Sequence, residues 1–194
     1  DFLEKHPEKR AEDVMWAFEN KQVKAIIANI GGNDSHKLLP YLEPTAIKEN
    51  PKIFCGYSDV MNLHLYCHQL GLSTFYGPNL LTTVAEVQDW HPYSKYWFQK
   101  VFFQAEAIGE IPPSKDWSFD THDHTNPQHT RQYIINQGYE RVQGKGVVRG
   151  RLFGGHGGLM EYEENSSIIL TQEDFAGKIL FFEDIPEFCD VEYM

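Results

Sequence analysis

Ser58 closes the segment Ile53-Phe54-Cys55-Gly56-Tyr57-Ser58-Asp59, in which a short apolar run stops at a glycine and a helix-like stretch follows. A strand, a tight turn and a helix in that order can lift a serine hydroxyl clear of a sheet and leave backbone N–H groups beside it. Upstream, Lys24-Ala25-Ile26-Ile27-Ala28-Asn29-Ile30 runs into Gly31-Gly32-Asn33-Asp34-Ser35, a second strand ending in a glycine turn. Two such turns at one edge of a parallel sheet can set a nucleophile beside an oxyanion hole. The same local pattern also suits a serine that caps the following helix, and the pattern alone leaves both readings open.

Glu183 follows the apolar run Ile179-Leu180-Phe181-Phe182, where a strand's end would project an acid; a solvated loop acid is the plainer reading of that residue alone. A serine nucleophile needs a base, usually a histidine oriented by a carboxylate. His64 and His68 lie on the helix after Ser58, which runs away from the turn, so neither is placed to reach the hydroxyl. With Cys67 they resemble a helical metal pair at i and i+4, but without a clear third and fourth ligand. Asp120-Thr121-His122-Asp123-His124 is also metal-like, and an exposed polar loop explains it more simply. No metal and no organic cofactor is expected. The run Gly154-Gly155-His156-Gly157-Gly158 lacks the spacing of a nucleotide-phosphate loop, and a tight turn where two elements approach closely is the preferred reading.

The elements that must position these groups read as an alternation. Residues 7–20 carry Val14, Met15, Ala17 and Phe18 among charges, an amphipathic helix with Pro7 in its first turn. Residues 23–30 form a nearly continuous apolar run, as in a strand covered on both faces. A short helix is expected over 35–42, a strand over 53–55, a helix over 60–70 ended by Gly71, and a strand over 72–76. A longer helix follows over 92–107, with Trp97, Val101 and Phe102 inward. Residues 108–143, rich in Pro, Asp, His, Asn and Gln, show no sustained period and read as a long loop. From Val147 onward the chain reads as β-rich, with strands near 147–155, 168–170 and 178–182.

A formal net charge of −11 argues against a nucleic-acid polymer as partner, since phosphate binding needs clustered Lys and Arg. No apolar run approaches the roughly 20 residues that span a bilayer, so no membrane partner is expected. Cys55, Cys67 and Cys189 are too few and scattered for a disulfide framework, and reduced thiols fit a cytoplasmic protein. Cys55 reads as a small buried residue. The chain opens at Asp1 and stops at Met194 without a cap or polar tail, which suggests an excerpt from a longer protein.

Several segments together resemble the LD-carboxypeptidase family of serine peptidases. They are Ile30-Gly31-Gly32-Asn33-Asp34-Ser35, Leu38-Leu39-Pro40-Tyr41, Asn50-Pro51-Lys52, Gly56-Tyr57-Ser58-Asp59, Thr74-Phe75-Tyr76-Gly77-Pro78, Gly150-Arg151-Leu152-Phe153-Gly154-Gly155 and Ile179-Leu180-Phe181-Phe182-Glu183-Asp184. The resemblance implies that Ser58 is the nucleophile and that Glu183 orients a catalytic histidine lying beyond Met194. It implies an oxyanion hole from backbone N–H groups of Asp59 and of Gly31 or Gly32, with Asn33 at the substrate. It also implies a homodimer. The excerpt would then lack its general base and the family's first strand and helix, and by itself would be nearly inert.

One branch of the family cleaves murein LD-tetrapeptides. The other, the microcin-immunity branch, cuts a bond joining a peptide's terminal aspartate to a nucleotide phosphoramidate. The aromatic loop over 108–143, with Trp117, resembles the second, where an indole can stack on a nucleobase. His156 stands where some members of that branch carry an asparagine near the phosphate. Glu187 falls near the expected place of a phosphate-contacting lysine, and an acid there repels a phosphate. The expectation is thus an α/β chain: a parallel-sheet, Rossmann-like N-terminal domain over 1–107, a long loop over 108–146, and the start of a smaller β-rich C-terminal domain over 147–194. Its substrate would be a small peptide or peptidyl-nucleotide. The rivals are a cell-wall recycling carboxypeptidase and a non-catalytic peptide- or nucleotide-binding protein.

Overall fold

The computed structural model describes residues 2–86, 89–120, 123, 125, 126, 128–157 and 168–183. They fall into two units, one of Asp1–Asn79 with Arg149–Met194 and one of Leu80–Val148.

In the first unit, a short helix α1 (Phe2–Lys5) precedes α2 (Pro7–Glu19), which opens on a proline whose missing N–H costs nothing in a first turn. Helix α2 buries Ala11, Met15 and Phe18 at helical spacing. Strands β1 (Ala25–Ile27), β2 (Ile53–Gly56) and β3 (Phe75–Tyr76) form a parallel sheet in that order. Ile27 pairs with Cys55, and Gly56 with Tyr76. Strand β1 lies at the sheet's edge, and Ile26 and Ile27 are only half-buried where the apolar run predicted cover on both faces.

Between β1 and β2 the chain forms a 3-10 helix over Ser35–Tyr41, then α3 (Pro44–Glu49). Pro40 lies inside the 3-10 helix and supplies no N–H, while Leu38 and Leu39 just before it are buried. Helix α4 (Met61–Gln69) follows β2 and is buried on nearly every side: Met61, Leu63, Leu65 and Cys67 join the core with Asn62 and His64. It ends at Gly71, where φ is +80°. Gly71 N–H donates to His68 O and Leu72 N–H to Cys67 O, both at 2.9 Å, the paired closure that a left-handed glycine permits.

His64 is held inside this core, with Nε2 at 2.9 Å from Gly56 O and Nδ1 at 2.8 Å from the Thr74 hydroxyl. Neither ring nitrogen faces His68, whose Nε2 meets Asp174 instead, so the pair forms no metal site. Burial pushes the His64 imidazole down to about 4. The unfolded chain then binds a proton here more readily than the folded one between that value and the ordinary 6.5. Stability from neutral His64 is full above pH about 6.5 and falls as pH drops toward 4, by about 3 kcal/mol in all. Urea unfolding from pH 7 to 4 should show this slope, and His64→Gln should flatten it; an unchanged slope in the variant would assign the loss to other groups.

The C-terminal strands of this unit, β6 (Arg151–His156) and β7 (Lys178–Glu183), pair in parallel with Gly154 opposite Phe181 and His156 opposite Glu183. Between them lies α6 (Gln172–Phe175), closed by a Thr171–Asp174 capping box. Gly154 and Gly155 lie within β6 rather than in a tight turn, and the close approach is what needs them. At φ +144°, a Cβ on Gly154 would fall 1.8 Å from Phe181 O; one on Gly155 would meet Met61 Sδ at 2.4 Å and the Tyr76 ring at 2.9 Å. Phe153 and Ile168 enter the same core as α2 and α4. Ile168 and Leu170 pack on the core without forming the predicted strand, and Ile169 between them is exposed.

The second unit contains a π-helical turn (Leu80–Val84), helix α5 (Pro92–Phe103) and an antiparallel pair, β4 (Asp116–Trp117) with β5 (Ile134–Ile135). Within the stretch predicted as loop these four residues form a short ribbon, and the other described residues from 108 to 143 carry no helix or strand. The Asp120 carboxylate accepts the Gln132 N–H at 3.0 Å and meets His129 Nε2 at 3.2 Å. The Trp117 and Phe119 rings lie 4.2 Å apart. Among the described residues no group of three His, Cys, Asp or Glu could hold a metal, and no helix is long and apolar enough to cross a membrane. His122, His124, Gly158, Asp184, Glu187 and Cys189 lie outside the described residues.

Candidate active site

Ser58 follows the C-terminal end of β2 and is the one non-glycine residue with a left-handed backbone among those described, at φ +64°. A serine forced there carries about 1–3 kcal/mol of strain, which surrounding contacts must hold. They do so on each side. Gly56 leaves no room for a side chain: a Cβ would lie 2.7 Å from Ala28 Cβ and 3.0 Å from both Asn79 Oδ1 and Val60 Cγ1. Asn79, fully buried, accepts the Tyr57 N–H at 3.1 Å and donates to Tyr57 O at 3.5 Å. Tyr76 Oη then accepts the Ser58 N–H at 3.0 Å.

The helix-cap alternative does not describe this serine. Ser58 opens a 3-10 turn (Ser58–Val60) whose N-cap is Tyr57, Val60 is the N-cap of α4, and neither N-cap makes a side-chain bond. Cys55, three residues earlier in β2, is not a competing nucleophile: it is wholly buried, and burial pushes its thiol up to about 12.

Gly31 lies against the serine. A Cβ there would stand 2.9 Å from Ser58 Cβ, 3.0 Å from Ser58 Oγ and 3.6 Å from the Asp59 nitrogen. The glycine turn after β1 and the N-terminal end of the 3-10 turn thus converge on the hydroxyl. Gly31→Ala is expected to lower both the turnover and the melting temperature of the complete gene product, because the added methyl keeps the Gly31 N–H but must push the Ser58 side chain or the glycine turn aside. Steady-state rates and thermal unfolding measure the two; full activity would separate this turn from the chemistry.

Asp59, 3% exposed, holds the two turns together. Its Oδ2 accepts the N–H groups of Asp34 at 3.1 Å and Ser35 at 2.9 Å, and the Ser35 hydroxyl donates to the Asp59 carbonyl at 2.5 Å with Oδ1 at 3.0 Å. Asn62 Nδ2 donates to Ser35 Oγ at 3.0 Å and to Asp59 O at 3.2 Å. Arg10 anchors the far side through Asp34 at 2.6 Å. Gly32 sits over this carboxylate, where a Cβ would be 3.2 Å from Oδ2, and Asn33 is exposed beside it.

Glu183 ends β7, and its Oε2 accepts the Tyr76 hydroxyl at 2.5 Å. Burial first, then the bond to Glu183, pushes the Tyr76 phenol well above the ordinary tyrosine range, so it stays protonated. His156, buried, stands opposite Glu183 in the register of β6 and β7. The first unit therefore gathers Ser58, Asp59, Gly31, Gly32, Glu183 and His156 at the C-terminal ends of parallel strands, where sites of open α/β sheets form. Trp117, 41% exposed, belongs to the second unit. Sequence reasoning did not single out Tyr76, Asn79 or the side-chain work of Asp59. The signal for the first two was the Tyr76-Gly77-Pro78-Asn79 break directly after a strand.

Residues 1–77 match the model of the LD-carboxypeptidase N-terminal domain. The chain is 30% identical to the Escherichia coli microcin C7 self-immunity protein MccF over 178 residues, covering 90% of this chain and 51% of that protein. It is also 30% identical over 189 residues to the Bacillus subtilis protein named "Probable murein peptide carboxypeptidase", covering 96% of this chain and 50% of the other. The crystal structure of an MccF-like protein from Streptococcus pneumoniae in complex with AMP superposes with a TM-score of 0.85 at 31% identity, over 100% of this chain and 62% of that one. The chain spans about half the length of the curated relatives it matches.

Proposed function

We propose that this chain, which belongs to the LD-carboxypeptidase family, supplies the nucleophile and the orienting carboxylate of a serine hydrolase acting on an amide-type bond at the C-terminal end of a small peptide or peptidyl-nucleotide. The observation that carries the reading is the left-handed backbone of Ser58 with the Gly31 turn pressed against its hydroxyl. On this reading Ser58 Oγ attacks the carbonyl carbon. A histidine expected C-terminal to Met194 takes its proton and returns it to the leaving group, and Glu183 holds that imidazole in the required tautomer. The oxyanion is received by backbone N–H groups of Asp59 and of Gly31 or Gly32. Water then hydrolyses the acyl-enzyme, and no metal enters the sequence.

A peptidyl-nucleotide is the preferred substrate class. The S. pneumoniae relative was crystallised with AMP, the nucleotide portion that such a substrate would carry. Asn33 and His156 would flank the bound substrate. We read the protein as a cytoplasmic homodimer. The name of the B. subtilis relative favours the second reading, a murein LD-tetrapeptide carboxypeptidase.

The test compares kcat/KM of the complete gene product on an aspartyl nucleotide phosphoramidate and on a murein LD-tetrapeptide. The nucleotide should be preferred by at least about 100-fold, the order of discrimination that apolar pocket contacts alone supply. Preference for the tetrapeptide would establish the cell-wall reading, and tight binding of either without turnover would make the protein a binding module.

A further inference from the structure

We propose that Tyr76 is a positioning residue of this site: one phenol oxygen ties the Ser58 backbone to the Glu183 carboxylate and fixes the nucleophile relative to the group that orients its base. The inference rests on the roles given above to Ser58 and Glu183.

Tyr76 ends β3, opposite Gly56 in the register of the sheet that carries Ser58, while Glu183 ends β7 of the other parallel pair. The phenol accepts the Ser58 N–H at 3.0 Å and donates its own proton to Glu183 Oε2 at 2.5 Å. Its ring has little freedom to swing. The His64 and Phe181 rings lie 5.7 Å from it, and Gly155 of β6 comes so close that a Cβ would stand 2.9 Å from its edge.

Three consequences follow from one oxygen serving both partners. The Ser58 N–H is committed to the phenol, so the oxyanion donors are narrowed to Asp59 and the glycine turn. Oε2 of Glu183 already accepts the phenol proton, so an imidazole N–H would find the less crowded lone pairs on Oε1. A rotation of Glu183 that would turn its carboxylate away breaks a charge-assisted bond, among the stronger kinds of hydrogen bond.

The test is Tyr76→Phe in the complete gene product, which keeps the ring and removes only the hydroxyl. The expected result is a fall in kcat of about 10- to 100-fold, the range for losing a hydrogen bond to a charged group. KM should change by less than about threefold, since the bond positions the catalytic groups rather than the substrate. Unchanged kcat overturns the proposal, as does a lower melting temperature with kcat per folded molecule intact.

The second measurement is the rate at which a fluorophosphonate labels Ser58 in Tyr76→Phe, Glu183→Gln and the double variant. If Tyr76 acts through Glu183, adding Tyr76→Phe to Glu183→Gln changes the rate by less than about threefold; fully multiplicative effects contradict that coupling. Ser58→Ala separates the two layers. Turnover retained there defeats the nucleophile reading itself, whereas loss of turnover there with full activity in Tyr76→Phe defeats only the role of Tyr76.

Discussion

Ser58→Ala is expected to lower kcat of the complete gene product by on the order of 10⁴-fold or more, as loss of a serine nucleophile does where no other group can replace it. The fold should tolerate the change. Alanine keeps the Cβ that already sits at φ +64°, and the bonds that pin the turn run through the backbone of Tyr57 and Ser58 and not through the serine hydroxyl. Ser58→Gly sharpens the point. Glycine adopts a left-handed backbone without penalty, so this variant should be more stable than the parent by about 1 kcal/mol and equally inactive. That pairing of gained stability with lost turnover is the mark of strain held for function. Initial rates and thermal unfolding on the same preparations measure both. Residual turnover within tenfold of the parent would move the chemistry to another residue.

Asp59→Ala is expected to give the largest loss of stability. The carboxylate is buried and gathers the N–H groups of Asp34 and Ser35 and the hydroxyl of Ser35. Removing it leaves the Asp34 and Ser35 N–H groups without this acceptor, while the Ser35 hydroxyl keeps the Asp59 carbonyl, at a cost of about 2–5 kcal/mol for the two unmet donors. Asp59→Asn should fall between, because an amide oxygen can still accept while its NH2 faces donors. Turnover should drop in both variants, since the Gly31-Gly32 turn loses its tie to the serine turn. Urea unfolding with m-values compared gives the stability change. A loss under about 1 kcal/mol in Asp59→Ala would mean that water or a neighbouring acceptor takes over these donors.

Much of the first unit was legible from local pattern. The βαβ alternation, the glycine stops at Gly56 and Gly71, and the helix over residues 61–69 follow from periodicity and turn chemistry, which act over a few residues, whereas β1 ends at Ile27, short of Gly31. Strand β3 proved shorter than its apolar run, and residues 168–170 formed no strand, because pairing partners rather than propensity decide where a ladder ends. The carboxylate of Asp59 was the least legible part. Its sequence neighbours mark only a turn, whereas its partners Asp34 and Ser35 come from the preceding βα connection. Tyr76 was hidden for the same reason: its bond to Glu183 joins residues distant in the chain. Gly154 and Gly155 did announce a close approach, but not that Tyr76 and Phe181 are what they approach.

The central claim is that Ser58 is the nucleophile, and covalent labelling tests it most directly. The complete gene product is incubated with a fluorophosphonate, digested, and the modified peptide sequenced by mass spectrometry. A single adduct on Ser58 Oγ, appearing in step with loss of turnover and absent in Ser58→Ala, is the predicted result. Loss of turnover with the adduct on another residue, or full turnover with Ser58 quantitatively modified, would contradict it.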